Sequence, residues 1–386
     1  MKTLLISGPI YPKQGNNVTL IKKLFPRLSA AADLQLLSAL GRTQPSPLPD
    51  SFGGASVRWC LDARNDFRRR IGYPLLAKLK DPKGFSDYLT AKLLLDVAKT
   101  LQKESHFDVI ISTLEPFPAA DAAARFRGVK KVLYLMDPPA CISNGTSTPY
   151  RERRLKKILA DQDVILTTPF IRQALAKHGY GQYDARIIPV GFPLIEEHKA
   201  TRQREDDGRI HLLFCGWLYS DIRSPKYFLD ILSRLDERFS VTFMGKECDK
   251  LTKRFDAQTK AELITLPQQS YETALQAMAD ADVLINIGNS VPVHMPSKTL
   301  EYINTGKPFV NFHKLDDCPT LYYTKRYPLC LNLSEGNPDL DAAAARFAEF
   351  CVQNKGKTVE HAWIEAEYAD CTPGYIAQKI LAALGE

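Results

Sequence analysis

The chain of 386 residues is longer than one hydrophobic core supports, since cores stop growing near roughly 250 to 300 residues, so two domains are expected. Its 45% hydrophobic and 25% charged residues exclude a disordered, collagenous or coiled-coil protein. The eight cysteines are scattered without a C-x-x-C pair, which indicates reduced thiols in a cytosolic protein and no zinc site.

Positive charge is concentrated in the first half of the chain. Residues 1–200 hold 30 Lys and Arg against 18 Asp and Glu, a surplus of 12, whereas residues 201–386 have an acidic surplus of 5. The basic residues cluster in Arg64–Lys83 and Arg151–Lys157. Such runs form either a solvated face or a surface that attracts anionic lipid headgroups or a phosphate-bearing acceptor. No apolar run reaches the ~18 residues that cross a bilayer, so membrane contact would be peripheral.

Short apolar runs alternate with helical patterns along the whole chain, which is typical of βα units that build parallel sheets. The strands predicted in the first half are Thr3–Ser7, Val57–Cys60, Asp108–Thr113, Lys131–Asp137, Asp163–Pro169 and Arg186–Val190. Those predicted in the second half are Ile210–Cys215, Ser240–Met244, Glu262–Leu266, Asp282–Ile287, Pro308–Phe312 and Pro328–Leu333. The expected fold is therefore α/β, with two doubly wound sheets in tandem.

A polar stretch that ends in a glycine separates the two sets of strands. It predicts an N-terminal domain at 1–195, a linker at 196–208, a C-terminal domain at 209–370 and a last helix at 371–386 that crosses back to the first domain. Ligands bind beyond the carboxyl ends of the strands in such sheets. Two sheets that face each other would create one interdomain cleft, and the loops after the strands are where chemistry is expected.

The most informative stretch, residues 281–310, predicts a strand, an irregular loop, a helix and a further strand. Pro296 suits the first turn of a helix, and Gly306 suits the position just after its end, so a helix of about ten residues is expected. Backbone N–H groups, the Ser297 hydroxyl and the Lys298 ammonium would converge on a diphosphate at its N-terminus. Glu301 lies on the same face, about 6 Å further along the axis, within reach of ribose hydroxyls. A solvated glutamate on an amphipathic helix is the alternative.

This stretch resembles the donor-binding motif of GT-B glycosyltransferases. Ala281–Ile285 corresponds to the family's strand, and the remaining matches are Pro296, Ser297, Lys298, Glu301, Tyr302, Gly306, Lys307 and Pro308. The resemblance implies two Rossmann-like domains, with the glutamate at 301 binding the ribose of the donor. It also implies transfer of a sugar from a nucleotide diphosphate donor held by the C-terminal half.

The chain departs from the large retaining family of this fold at one position. That family has two glutamates separated by seven residues, and the first would fall where this chain has Val293. The contact with the donor sugar must then come from Asn289, Ser290, His294 or the backbone of the loop. A structural role for His294 is an equal alternative. Both the donor sugar and the stereochemical outcome are left open.

Further donor contacts are expected after the first three strands of the second half. Gly216 ends the first of them, where a glycine lets the backbone approach a ligand, and Arg223 follows before a helix. Arg223 could hold the departing diphosphate bidentately as its negative charge grows. Gly245 ends the second strand. By similarity to the family, the loop with Gln268 and Gln269 lies at the nucleobase.

In the first half, the loop that carries Gly8, Gly15 and Asn16 resembles the glycine-bearing loop by which these enzymes approach the donor phosphate or sugar. It is not a dinucleotide fingerprint, which needs G-x-G-x-x-G. Glu115 and Asp137 each follow a strand, and either could accept the proton of the attacking hydroxyl. Because prolines adjoin both residues, a purely structural role in a sharp bend is an equal alternative.

The expected function is transfer of a sugar, most simply from a UDP-sugar, to a hydroxyl of a glycan or lipid-linked acceptor in polysaccharide biosynthesis. No cofactor, divalent metal or nucleic-acid partner is expected, because the diphosphate would be bound by Arg223 and Lys298 and no Asp-x-Asp triplet is present. The expected location is the cytoplasm, with a peripheral association at the inner face of the membrane through Arg64–Lys83. The alternatives are a nucleotide-sugar epimerase on the same scaffold and a non-catalytic binding subunit.

Overall fold

The computed structural model describes residues 1–7, 16–38, 57–59, 73–80, 85–114, 117–143, 147–197, 200–253, 255 and 259–385. The chain divides into two compact units, one formed by Met1–Pro193 with Asp370–Glu386 and the other by Leu194–Ala369. Each unit contains one parallel sheet with helices. None of the helices within the described ranges is long and apolar enough to span a bilayer.

The described strands of the first unit form a seven-stranded parallel sheet in the order β3-β2-β1-β4-β5-β6-β7. Its strands are β1 Lys2–Ser7, β2 Asp33–Ser38, β3 Val57–Trp59, β4 Val109–Thr113, β5 Lys130–Leu135, β6 Val164–Thr167 and β7 Ile187–Pro189. The accompanying helices are α1 Asn16–Ala31, α2 Tyr73–Lys80, α3 Phe85–Ser105, α4 Phe117–Ala123, α5 Ala140–Ser143, α6 Pro149–Ala160 and α7 Pro169–Leu175, followed by a wide turn at Ala176–Tyr180 and a 3₁₀ turn at Gly181–Arg186. The core lies where α3 and α4 pack on β1 and β4.

The second unit contains a six-stranded parallel sheet in the order β10-β9-β8-β11-β12-β13. Its strands are β8 Ile210–Cys215, β9 Phe239–Met244, β10 Glu262–Leu266, β11 Val283–Ile287, β12 Phe309–His313 and β13 Cys330–Ser334. The helices of this unit, in chain order, are α8 Lys226–Leu232, α9 Cys248–Thr252, α10 Tyr271–Asp280, α11 Lys298–Asn304, α12 Pro319–Thr324, α13 Leu340–Asn354 and α14 His361–Glu367. The described part of 196–208, predicted to be a linker, lies along this unit, with Arg202 paired to Asp282 at 2.7 Å.

After the 3₁₀ turn Ala369–Cys371, the last helix, α15 (Pro373–Leu384), packs against α1 and β5 in the first unit. Its buried face includes Ile376, Ala377 and Ile380, which repeat at helical spacing.

The predicted doubly wound α/β fold is confirmed, and the structure adds a strand that the sequence analysis missed. Strand β2 (Asp33–Ser38) pairs in parallel with β1 and β3. It was overlooked because its sequence, DLQLLS, is rich in leucine and lacks β-branched residues, and leucine favours helices. Only burial against both neighbouring strands makes this segment extended.

Aromatic packing holds the helices of the second unit on their sheet. The ring of Phe228 in α8 lies 5.7 Å from that of Phe243, 5.2 Å from Phe312 and 5.8 Å from Phe347, measured between centroids. These contacts join α8 and α13 to strands β9 and β12. Because α8 is fixed in this way, the loop that precedes it has a defined place at the carboxyl edge of the sheet.

Candidate functional site

The candidate site lies where the strand order of the second sheet reverses, between β8 and β11. The loops after these two strands are joined directly, since the backbone N–H of Ser290 donates to Ile222 O at 2.8 Å and its hydroxyl donates to Asp221 O at 3.2 Å. Such switch points are where open parallel sheets bind their ligands. The structure therefore brings the loop that carries Arg223 next to the loop of residues 281–310, the most informative stretch of the sequence.

Arg223 is the cationic side chain of the first loop. Its Nε donates to Oδ1 of Asn289 at 3.0 Å and its Nη1 donates to Trp217 O at 3.2 Å. Burial lowers the pKa of Arg223, but a guanidinium stays protonated near neutrality. No carboxylate within the described ranges forms an ion pair with it. The site thus holds a half-buried positive charge that a negatively charged ligand could balance.

Lys298 and Glu301 form an ion pair on the first turn of α11. The Nζ of Lys298 donates to Oε2 of Glu301 at 2.5 Å, and the two side chains are only 22% and 10% exposed. Burial alone would lower the pKa of Lys298, but the carboxylate of Glu301 outweighs it, so the net pKa lies above its ordinary value. Oε1 of Glu301 makes no hydrogen bond to any described residue. This oxygen is available to accept from a ligand hydroxyl.

The start of α11 is fixed to the end of β8. The hydroxyl of Tyr302 accepts from the backbone N–H of Cys215 at 2.9 Å and lies 3.3 Å from the carbonyl oxygen of the same residue. Cys215 interacts electrostatically with both Lys298 and Glu301, and burial raises the pKa of its thiol. Tyr302 therefore places the ion pair next to the carboxyl end of β8.

The helix is shorter than the sequence predicts. It has seven residues rather than about ten, and Ser297 is its N-cap without a side-chain capping bond. Pro296 lies before the helix, because the opening turn is of 3₁₀ type with Leu300 N donating to Ser297 O at 3.1 Å. Gly306 lies just past the end at a φ of +74°, as predicted.

Only glycine fits at position 245, because the backbone of Gly216 passes close to it. It has a φ of +146°, and a Cβ at this position would lie 1.7 Å from the carbonyl oxygen of Gly216. The close approach lets Gly216 N donate to Met244 O at 2.9 Å while Gly245 N donates to Leu266 O at 3.0 Å. The two glycines thus allow the ends of β8 and β9 to meet.

The other predicted donor contacts differ in their surroundings. Asn289 is buried, and its Nδ2 donates to His294 O at 2.9 Å and lies 3.0 Å from Nδ1 of His294. After β10, Gln268 is exposed, whereas Gln269 donates to Pro267 O at 3.1 Å. Asn289, Ser290 and His294 are therefore part of the loop's own hydrogen-bonding network.

Aromatic residues that the sequence analysis did not single out also lie here. Tyr271, at the start of α10, interacts electrostatically with Glu301. The pKa of Tyr271 is raised, mainly by burial and further by this carboxylate. Trp217 is 43% exposed, stacks on Tyr219 and carries the Lys246 ammonium 4.5 Å from its ring centroid. The only signal in the sequence was that these residues follow the ends of strands.

In the first unit, Asp137 lies two residues after the end of β5 and is half-buried, and Asn16 begins α1. Gly8, Gly15 and Glu115 lie outside the described residues, as does most of Arg64–Lys83. The site assignments for these residues stay predictions.

The part of the chain that the structure describes contains no cluster of three or more His, Cys, Asp or Glu side chains that could hold a metal ion. Of the two adjacent aspartate pairs in the sequence, Asp206 is paired with Lys355 at 2.7 Å and Asp207 with His211 at 2.8 Å. Asp316 and Asp317 are exposed.

Comparison with known proteins identifies the fold. No protein-family model matches the sequence, and no curated protein matches it significantly. Among solved structures, Anabaena HepE in complex with UDP superposes with a TM-score of 0.66 at 15% identity, over 100% of both chains. The apo form of WaaB, a lipopolysaccharide outer core galactosyltransferase, gives 0.64 at 12% identity over 100% of this chain and 99% of that one.

An epimerase shares the same architecture. The UDP-GlcNAc 2-epimerase from Methanocaldococcus jannaschii superposes with a TM-score of 0.58 at 11% identity, over 100% of this chain and 99% of that one. Likeness at this level of identity shows the fold and not the reaction. The chain therefore has the GT-B fold, with two Rossmann-like units, which it shares with a galactosyltransferase and a sugar-nucleotide epimerase.

Proposed function

We propose that this chain is a glycosyltransferase of the hexosyltransferase class, which moves a sugar from a nucleotide diphosphate donor to a hydroxyl of a glycan or glycolipid. The donor is taken to be a UDP-sugar, in keeping with the UDP bound to the structurally similar HepE. One observation carries the proposal. Arg223, from the loop after β8, and Lys298 and Glu301, from the first turn of α11, lie at the β8–β11 switch point of a GT-B fold. Cations for a diphosphate and an acceptor for ribose hydroxyls are needed together at such a site.

The chemistry follows from the charges. As the glycosidic bond breaks, negative charge accumulates on the leaving diphosphate, and a prepositioned cation that faces it lowers the barrier. Arg223 has no carboxylate partner among the described residues, so its charge is available for this purpose. Lys298 is held by Glu301 and would support the same phosphates, while Oε1 of Glu301 accepts from the ribose. With two cations present, the reaction is proposed to need no divalent metal.

The proton of the attacking hydroxyl needs an acceptor if the reaction inverts the anomeric centre. Asp137 is the described candidate, since it follows the carboxyl end of β5 and is half-buried. Glu115 stays a second candidate from the sequence.

The protein is proposed to be cytoplasmic and to associate peripherally with the inner face of the membrane, where a lipid-linked acceptor would be found. Helix α2 supports this proposal, since Leu75, Leu76 and Leu79 are 62%, 42% and 75% exposed and Lys78 is exposed among them. Leucines beside basic residues are typical of helices that lie in a membrane interface.

An epimerase is the second candidate, because the similar structures include a UDP-GlcNAc 2-epimerase. It would convert a UDP-sugar into its epimer with no acceptor present, whereas a transferase would only hydrolyse the donor slowly under those conditions. A non-catalytic subunit would bind nucleotide without turnover. Incubation of the purified chain with UDP-sugars, with and without glycan acceptors, separates the three functions.

The proposed site is tested by Glu301→Ala and Arg223→Ala. Glu301 contacts hydroxyls remote from the reacting bond, so its loss should weaken binding of donor and of free UDP, by about 10- to 100-fold for a hydrogen bond to a charged group. Loss of Arg223 should in addition lower kcat, by about 10²- to 10³-fold, because the charge it faces grows in the transition state.

Glu262→Ala and Arg234→Ala are matched controls. They remove ion-paired residues that lie on the surface of the same unit, with Glu262 50% and Arg234 35% exposed. Donor KM and kcat, UDP affinity by calorimetry and a melting curve would be measured for all four variants. If Glu301→Ala binds UDP as tightly as the wild type, the donor site is in the wrong place.

A further inference from the structure

Asn289 connects the guanidinium of Arg223 to the loop that precedes α11 in the candidate site. Its side chain is 1% exposed, and Oδ1 accepts from Nε of Arg223 at 3.0 Å. Nδ2 donates to His294 O at 2.9 Å, and its second hydrogen faces Nδ1 of His294 at 3.0 Å. Both amide hydrogens and the oxygen are therefore engaged within the protein, and the amide can face Arg223 only with its oxygen.

The loop that Asn289 closes contains a strained residue. Val293 has a φ of +69°, which is rare for a β-branched side chain and strains the backbone. The bond from Asn289 to the carbonyl oxygen of the next residue, His294, holds the chain in this conformation. The same amide thus fixes both the guanidinium and the backbone of the loop.

We infer that Asn289 is a positioning residue that acts on the diphosphate through Arg223 and does not itself contact the donor. This inference rests on the proposed function, since it needs a diphosphate at Arg223. By accepting from Nε, Asn289 restricts the rotamers of the arginine, so that Nη1 stays bound to Trp217 O and Nη2 is left for the ligand. Since a long side chain loses rotamer freedom when it binds, fixing it beforehand strengthens the complex.

The inference makes a prediction about energetic coupling. If Asn289 acts only through Arg223, its removal must have no effect once Arg223 is gone, which a double-mutant cycle measures. Asn289→Ala in the otherwise native chain should weaken UDP binding about 2- to 10-fold, the cost of immobilising one long side chain when the ligand binds. Asn289→Asp keeps the shape of the side chain but places a carboxylate against the guanidinium, which would compete with the diphosphate, so a larger loss is expected.

The experiment measures UDP and inorganic pyrophosphate binding by calorimetry for the wild type, N289A, N289D, R223A and the double variant N289A/R223A. Pyrophosphate lacks ribose and base, so an effect that passes through Arg223 must appear with this ligand as well. Asn354→Ala is the matched control, because the Nδ2 of this asparagine in α13 donates to Phe350 O at 2.8 Å in the same unit and makes no hydrogen bond to Arg223. Melting curves report folding, and N289D provides the near-isosteric variant if N289A is unstable.

The expected result is that N289A weakens both ligands in the native background and changes neither by more than about twofold in the R223A background. N354A should bind both ligands as the wild type does. Equal losses from N289A in both backgrounds would overturn the inference, because Asn289 would then act independently of Arg223. If R223A weakens both ligands and N289A and N289D weaken neither, the inference alone fails. If the wild type binds neither ligand, the proposed function fails with it.

Discussion

Replacement of Glu335 by glutamine should remove a pH-dependent loss of stability from the second unit. Glu335 follows β13, its side chain is 11% exposed, and Oε1 is buried without a hydrogen-bond partner in the described structure. Its other oxygen lies 3.8 Å from Nζ of Lys314, too far for a hydrogen bond. Burial raises the pKa of Glu335 from 4.5 to about 7, against the opposing influence of Lys314.

The sign and size of the effect follow from this shift. Because the folded pKa lies above the unfolded one, the native state holds the proton more tightly. The resulting stability is fully present below pH 4.5 and is lost as the pH rises to about 7. At 1.36 kcal/mol per pKa unit, the loss in the wild type is on the order of 3 kcal/mol. Glutamine cannot ionise, so the free energy of unfolding of E335Q should rise relative to that of the wild type as the pH increases through this range. At higher pH the difference between the two proteins should stay constant.

The assay is urea unfolding of wild type and E335Q between pH 5 and 8.5, followed by a probe of the second unit. Tyr227 and Cys318 also face Glu335, but burial raises the pKa of both the phenol and the thiol, so neither adds a transition below pH 8. Glu262→Gln, at a half-exposed carboxylate on the same sheet, is the control. A difference between wild type and E335Q that stays constant from pH 5 to 8.5 would show that Glu335 titrates normally.

Three further predictions concern the loop, the metal requirement and the membrane. Val293→Gly should leave the free energy of unfolding unchanged or raise it by up to about 1 kcal/mol, because glycine adopts a φ of +69° freely. Val291 has no positive φ to relieve, so the control Val291→Gly should lower the free energy of unfolding by about 1 kcal/mol in a urea or thermal melt. Turnover should persist in EDTA, and restoration of lost activity by Mg²⁺ or Mn²⁺ would contradict the proposed role of Arg223 and Lys298. In cosedimentation, anionic vesicles should bind the protein more strongly than neutral vesicles do, and high salt should weaken this binding. Leu79→Gln should reduce the binding about tenfold. Equal recruitment by neutral vesicles would argue for another use of the basic segments.

Much of the candidate site could be predicted because its residues lie in one continuous stretch. Residues 281–308 carry a strand-loop-helix pattern whose spacing places Lys298 and Glu301 on one turn, and the structure has them in contact. The partner of Arg223 could not be predicted, since Asn289 is 66 residues away in sequence and only the strand order brings the two loops together. The raised pKa of Glu335 could not be predicted from the sequence either, because it depends on burial by the folded chain.

The sequence by itself determined the fold class, the six strands of the second unit and the turn at Gly306, because short apolar runs bounded by turns and glycine at positive φ are local requirements that leave a local pattern. Only the tertiary structure decided that Asp33–Ser38 is a strand, that the helix within the motif begins at Lys298, and that Asn289 is bonded to Arg223 and His294. These outcomes depend on burial and hydrogen bonds between segments far apart in the chain. Such interactions arise only after the strands have taken their order in the sheet, so no local pattern records them.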